Sequence, residues 1–303
     1  MTRTIWLASY PKSGNTWFRM LVANLFAKDG KPVDINDLPE RSGIASARGP
    51  FDYLLLIDSS LLTLDEIDCL RPRLYEELAR GADDDEYDAA EELPPVRFVK
   101  VHDAYTLTPK GEPLLAGRRG ADGAIVIVRD PRDVAPSFAN HRRGSIDDAI
   151  TFLNNQGAGF STKPQRLYPQ LRQWLPGWSG YMESWLDQTD IPVHLVRYED
   201  MQADTIATFR RALDFAGFPA SDDDIRRAVA FADFAELKSQ EQAKGFRDGP
   251  MRPGGLFFRR GKAGGWRDEL TAAQVARIEA AHAPMMRRLG YKLAGTAPLA
   301  RTA

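Results

Sequence analysis

Residues 9–17 read Ser9-Tyr10-Pro11-Lys12-Ser13-Gly14-Asn15-Thr16-Trp17. What flanks this run decides the fold class. Before it stands Ile5-Trp6-Leu7-Ala8, a short apolar run of the kind that forms a buried strand. After it, Phe18, Leu21, Val22, Leu25 and Phe26 recur at helical spacing. A strand, a tight loop and a helix N-terminus together make an anion site, because loop N–H groups point outward and the helix dipole adds positive charge. The loop departs from the nucleoside-triphosphatase pattern G-x-x-x-x-G-K-[ST]. Aligned on Gly14 and Thr16, Ser9 replaces the first glycine and Asn15 replaces the lysine. The only lysine, Lys12, lies three positions earlier, beside whatever group hangs from a bound phosphate. That placement suits group transfer from a nucleotide phosphate better than triphosphate hydrolysis.

Working outward, Val96 to Val101, Ala124 to Val128 and Val193 to Val196 also read as buried parallel strands. Helices are predicted at Thr16–Ala27, Arg132–Arg143, Ile146–Asn154, Leu171–Thr189, Thr205–Ala216, Asp222–Phe231 and Ala272–Leu289. The alternation implies an α/β fold, a single domain over 1–303 with a central, mainly parallel sheet flanked by helices and a P-loop-like phosphate-binding loop. Segments near 31–60, 81–95 and 245–265 read as mobile loops. The last is rich in glycine and cations, as lids and binding loops are.

Composition narrows the function. The chain has 303 residues, 43% of them apolar, and 40 basic residues against 42 acidic ones. A near-neutral chain has no global field to recruit nucleic acid. One cysteine, Cys69, excludes a disulfide framework or a cysteine metal site. The apolar start is too short for a signal peptide, and no run approaches the roughly 18 apolar residues of a spanning helix. A cytoplasmic protein that does not engage the membrane is the expectation.

Three further clusters carry chemistry. Lys100 and His102 are two apart at the end of the second strand, so they share a face where open α/β sheets bind ligands. A histidine there suits proton removal from an acceptor hydroxyl, and a lysine suits stabilising a transferring anion. A structural histidine is the plainer alternative. At the third strand's end, Arg129 and Ser137 suit a second phosphate. An ion pair of Arg129 with Asp130 or Asp133 competes with that reading. Asp130 and Pro131 have the character of a helix N-cap and first turn. Finally, Phe257-Phe258-Arg259-Arg260-Gly261-Lys262-Ala263-Gly264-Gly265-Trp266 is a flexible cationic loop able to wrap a phosphate, or simply a solvated face.

Together these motifs resemble the cytosolic-type sulfotransferases, which use 3′-phosphoadenosine 5′-phosphosulfate (PAPS). Tyr10 to Trp17 is similar to the family's 5′-phosphosulfate loop, and Lys100-Val101-His102 to its Lys-x-His. Arg129 with Ser137 matches the 3′-phosphate motif. Arg259 to Trp266 matches Arg-Lys-Gly-x-x-Gly-Asp-Trp, with Arg260 for lysine and Gly265 for aspartate. The resemblance implies PAPS as co-substrate and no metal. Lys12, Ser13, Gly14, Asn15 and Thr16 would hold the 5′ side. Arg129, Ser137, Arg259, Arg260 and Gly261 would hold the 3′-phosphate, with Phe258 beside them. Trp17, Tyr198 and Phe234 would face the adenine. His102 would be the general base, with Lys12 and Lys100 stabilising the transferring group.

Two rivals remain at this level, a P-loop kinase dependent on Mg²⁺ and a nucleotide-binding module without chemistry. Asn15 speaks against the first, and the presence of Lys100 and His102 against the second. The acceptor is expected to be a small molecule with an apolar or aromatic part, lined by Phe51, Tyr53, Tyr105, Phe138 and Phe160. The stretch Arg267, Thr271, Ala272, Ala276 keeps only the threonine of the dimerising relatives' motif, so that dimer is not expected.

Overall fold

In a computed structural model the described residues are 2–27, 30–38, 43–81, 95–249 and 255–295. Strand β1 (Arg3–Ser9) leads through the loop at 10–14 into α1 (Asn15–Leu25). Helices α2 (Arg48–Leu55) and α3 (Leu64–Arg80) precede β2 (Val96–Val101). Then come β3 (Gly123–Val128), α4 (Pro131–Arg142) and α5 (Ile146–Asn154). A small antiparallel pair, β4 (Gly159–Phe160) and β5 (Gln173–Trp174), leads to α6 (Gly177–Leu186). The chain continues through β6 (Val193–Arg197), α7 (Tyr198–Ala203), α8 (Thr205–Ala216), α9 (Asp222–Phe231), α10 (Phe234–Lys244) and α11 (Ala272–Arg288).

The four long strands form one parallel sheet in the order β2-β1-β3-β6. Leu7 lies opposite Lys100 on one side and Ile125 on the other. Successive side chains alternate between two cores. Ile5, Leu7, Phe98 and Ile125 pack with residues of α1, α8 and α9. Trp6, Ala8, Val126 and Val128 pack with residues of α3, α4, α5, α6 and α11. Burial on both faces is why these strands are apolar throughout rather than alternating.

The expected strands, and most expected helices, stand within two residues of their positions. Helix α5 starts on the capping box of Ser145 and Asp148, and α4 on the Asp130 cap with Pro131 in its first turn. The helix expected over Leu171–Thr189 is corrected. It begins only at Gly177, after Pro176, because Gln173 and Trp174 pair with the 159–160 strand and Gly177 takes a left-handed φ of 62°. The loop expected near 31–60 is corrected too. It holds α2 and a turn of 3₁₀ helix at Ser59–Leu61, and Ile44 bridges to Lys100. Helix α3 was not among the expected helices; Asp68, Arg71 and Glu76 are among its buried residues. Of the other two expected loops, 82–94 and 250–254 lie outside the described residues.

The connection from β1 runs to β2 on one side of the sheet, while β3 lies on the other side of β1. Ligand crevices of open α/β sheets form at such a divergence, off the carboxyl ends of the strands.

Candidate active site

A chamber of about 590 Å³ opens off those carboxyl ends. Its floor is the β1–α1 loop. Gly14 takes φ 108°, and a Cβ there would lie 2.7 Å from the Tyr198 ring. Only glycine permits both the backbone turn and that close approach. Asn15 turns its side chain inward, donating from Nδ2 to the Leu7 carbonyl at 2.9 Å and to Ser9 Oγ at 3.1 Å. The residue standing where a triphosphatase has its lysine therefore braces the loop. No side chain caps α1. Its first N–H groups are left to whatever sits in the chamber, which Lys12, Gly14, Thr16 and Trp17 also line. Ser13 is fully buried behind the loop, and its hydroxyl is not part of the chamber wall.

The β2 end supplies a lysine and a histidine. Lys100 and His102 both line the chamber. His102 Nδ1 lies 2.7 Å from the Ser9 carbonyl oxygen. A carbonyl only accepts, so Nδ1 carries the proton and Nε2 keeps its lone pair. Burial first, then the Lys100 charge, pushes His102 down to about 3. Burial, with Arg129 and Lys100 nearby, lowers Lys12 to about 7. Burial and Arg19 lower Lys100 to about 8. The ammonium of Lys12 also lies 3.4 Å above the centre of the Phe257 ring. Cations crowded into one chamber repel one another, and a bound polyanion relieves that repulsion.

Arg129, at the end of β3, crosses the chamber between two loops. It donates to the Lys12 carbonyl at 3.4 Å and to the Lys262 carbonyl at 3.1 Å, and it lies 4.2 Å above the Tyr198 ring. It makes no ion pair with Asp130 or Asp133. Arg132 takes Asp130 instead, at 2.6 Å, together with Glu279 at 2.7 Å. Ser137 lines the chamber two turns into α4. The cationic loop closes the far wall. Arg259 is held in a two-pronged pair by Glu269, at 2.5 and 2.8 Å. Arg260 donates to the Gly265 carbonyl at 3.2 Å. Phe258 is buried, with its N–H given to Glu241 at 2.8 Å. Gly261 takes φ 60° and packs so tightly on Phe234 that a Cβ would lie 2.3 Å from the ring.

Asp133 on α4 accepts the N–H groups of Gly264 at 2.6 Å and Trp266 at 2.8 Å. Gln202 Oε1 accepts the N–H of Ala263 at 2.6 Å. No signal in the sequence joins Asp133 or Gln202 to that loop. Trp17 is fixed by its Nε1–H to the Ala232 carbonyl at 3.0 Å, and with Tyr198 and Phe234 it lines the same end of the chamber.

At the other end stand Phe138, Phe160, Ile44, Gln170, His141 and Phe257. Phe138 and Phe160 match the expected lining, but three other candidates do not. Phe51 is wholly in the core, Tyr53 is 64% exposed, and Tyr105 is buried against Asp190 at 2.8 Å. His141 was missed as a chamber residue. The available signal was its spacing, four residues after Ser137 and so on the same helix face. Asp248 also lines the chamber, and its charge is felt by both Lys12 and Lys100. Among the described residues no group of three or more His, Cys, Asp or Glu side chains could hold a metal ion.

The family model described as the sulfotransferase domain matches residues 2–290. Cytosolic sulfotransferase 17 of Arabidopsis thaliana is 25% identical over 285 residues, which cover 90% of this chain and 71% of that protein. Flavonol 3-sulfotransferase of Flaveria bidentis is 24% identical over 290 residues, covering 91% and 79%. Among solved structures, retinol dehydratase in complex with retinol and PAP superposes with a TM-score of 0.58 at 22% identity, covering 95% of this chain and 82% of that one. A mouse sulfotransferase complexed with PAP gives 0.56 at 20%, covering 94% and 85%. At these identities the structural likeness shows the fold.

Proposed function

The chain belongs to the sulfotransferase family, and from that premise we propose that it moves the sulfuryl group from PAPS to a hydroxyl or amine of a small acceptor with an apolar or aromatic part. The observation that carries this reading is the meeting of the uncapped α1 N-terminus, Lys12, Lys100 and His102 in one chamber. The α1 N–H groups, with Gly14, Asn15 and Thr16, hold the 5′-phosphate. Arg129, Ser137 and the loop of Arg259, Arg260 and Gly261 take the 3′-phosphate. Trp17, Tyr198 and Phe234 enclose the adenine, with Phe258 supporting Phe234 from behind.

His102 Nε2 takes the proton from the acceptor hydroxyl. The acceptor oxygen attacks sulfur in line, and its bond to sulfur forms as the sulfur–oxygen bond to the phosphate breaks. Lys12 and Lys100 stabilise charge on the sulfuryl and leaving oxygens. These cations are the protein's own, so the transfer is read as needing no metal. The chain acts as one domain. Among the described residues no helix is long and apolar enough to cross a membrane. With relatives named as cytosolic enzymes, the working site is read as the cytoplasm.

Calorimetric titration tests this reading. 3′-Phosphoadenosine 5′-phosphate (PAP) should bind tightly and ATP with Mg²⁺ should not. The reverse preference would replace the reading with a P-loop kinase.

A further inference from the structure

The two arginines of the cationic loop share one carboxylate. Glu269 accepts from Arg259 Nη1 at 2.5 Å and from its Nη2 at 2.8 Å, and Glu269 Oε1 also lies 3.4 Å from Arg260 Nη1. The backbone fixes where this carboxylate stands. Glu269 follows a turn of 3₁₀ helix at Gly265–Asp268 and gives its N–H to the Trp266 carbonyl at 3.1 Å, and two residues further on Thr271 caps α11. Arg259, Arg260 and Glu269 all line the chamber. The pair can be reached from solvent, with the Arg259 side chain 33% exposed and that of Glu269 16%.

Two other carboxylates that line the chamber are employed differently. Asp133 spends its oxygens on the N–H groups of Gly264 and Trp266, and Asp233 accepts the Ala235 N–H at 2.8 Å at the start of α10. Glu269 instead sits on the side chains assigned above to the 3′-phosphate. A guanidinium is a planar fork that fits a carboxylate and a phosphate in the same two-pronged way. Its Nη1–Nη2 edge engages one such partner at a time. A phosphate monoester at neutral pH carries about −1.5 to −2 charge and three acceptor oxygens, against one charge and two oxygens for a carboxylate. The phosphate therefore wins the exchange, but it does so against a fixed negative charge.

We propose that Glu269 competes with the 3′-phosphate for Arg259 and Arg260, and so sets how tightly the 3′-phosphorylated nucleotide is held and how fast it leaves. This rests on the sulfuryl-transfer reading above, with those arginines at the 3′-phosphate. In the exchange each guanidinium passes from one anion to the other, and as PAP departs Glu269 retakes Arg259. The 5′-phosphate, held at the α1 N-terminus, takes no part. Glu269 therefore bears on the 3′-phosphate and not on the rest of the nucleotide.

The test measures the Kd and dissociation rate of PAP, and the Kd of adenosine 5′-phosphate (AMP), which lacks the 3′-phosphate. Wild type, E269Q, E269A and E269D are compared at about 0.15 M salt, where distant charges are screened. E269Q and E269A should bind PAP at least about fivefold tighter and release it correspondingly slower, the scale of one partly exposed ion pair. Their AMP affinity should stay within about twofold of wild type. E269D, which keeps the charge, should fall between wild type and E269Q. Unchanged or weaker PAP binding in E269Q and E269A overturns the proposal, because a carboxylate that merely orients the arginines gives that result. A parallel gain for AMP overturns it too, since net charge alone would then account for the change. In either case a wild type that prefers PAP to AMP leaves the transferase reading standing. A wild type that binds no PAP removes both.

Discussion

His102 spends its Nδ1–H on Ser9 and presents Nε2 to the chamber, so its tautomer is set before any substrate arrives. General-base catalysis of this kind contributes roughly 10²–10⁴-fold. H102A should therefore lower kcat by at least about 10²-fold while PAP affinity stays within about threefold. Retention of wild-type kcat would remove the base assignment. The lysines make a different statement. Lys12 is held at about 7 and Lys100 at about 8, both below the ordinary value for lysine, chiefly by burial. A bound polyanion favours the charged form and raises both. Between pH 7 and 9 binding should thus take up protons, and affinity should weaken as pH rises through that window. Titration of PAP in buffers of different ionisation enthalpy reads this directly, and zero or negative proton uptake would contradict the site's electrostatics. At this scale the sequence was largely legible. Lys12, Lys100, His102 and Arg129 announce themselves by type and by position at strand ends. His141 did not, because a histidine on a helix is ordinary until its neighbours are known.

Between elements, one carboxylate does most to shape the site. Asp133, in the first turn of α4, holds the N–H groups of Gly264 and Trp266 and so fixes the cationic loop against β3 and α4. Hydrogen bonds to charged groups are worth about 1.5–3 kcal/mol each. D133A should release the loop and weaken PAP binding by about tenfold or more, while the pH profile of kcat at saturating donor stays as in wild type. Equal PAP affinities in the two proteins would show that the loop holds itself. A Cβ on Gly265 would stand 3.8 Å from Asp133 Oδ1. Local patterning reached the helix that carries Asp133, with its Asp130 cap and Pro131 turn. It could not reach the contact, which spans more than a hundred residues.

On the scale of the whole molecule, a buried ion network at the end of β2 ties distant parts of the chain together. Arg71 of α3 is fully buried and meets Asp103, the residue after His102, at 2.7 Å, while its neighbour Asp68 takes Arg172 at 2.5 Å. Asp103 also gives its carbonyl to Trp185 at 3.1 Å. Removing one partner of such a pair leaves an uncompensated buried charge, at about 3–5 kcal/mol. D103A should therefore lower unfolding free energy by about that amount in a guanidinium titration. A loss below about 1 kcal/mol would mean that water reaches Arg71 and the network is not closed. The sequence by itself determined the α/β class, the strands, the β1–α1 loop and the residue types at the strand ends. Those follow from local rules, since apolar runs, caps and a helix N-terminus act over a few residues. Tertiary structure alone decided that α3 is a helix with Asp68, Arg71 and Glu76 among its buried residues, that Asp133 holds a loop far along the chain, and which aromatic rings line the chamber. Phe51 and Phe138 are alike as residues. Both are buried, but only Phe138 also lines the chamber, because the packing of α2 and α4 against the sheet puts them there, and no local pattern encodes that packing.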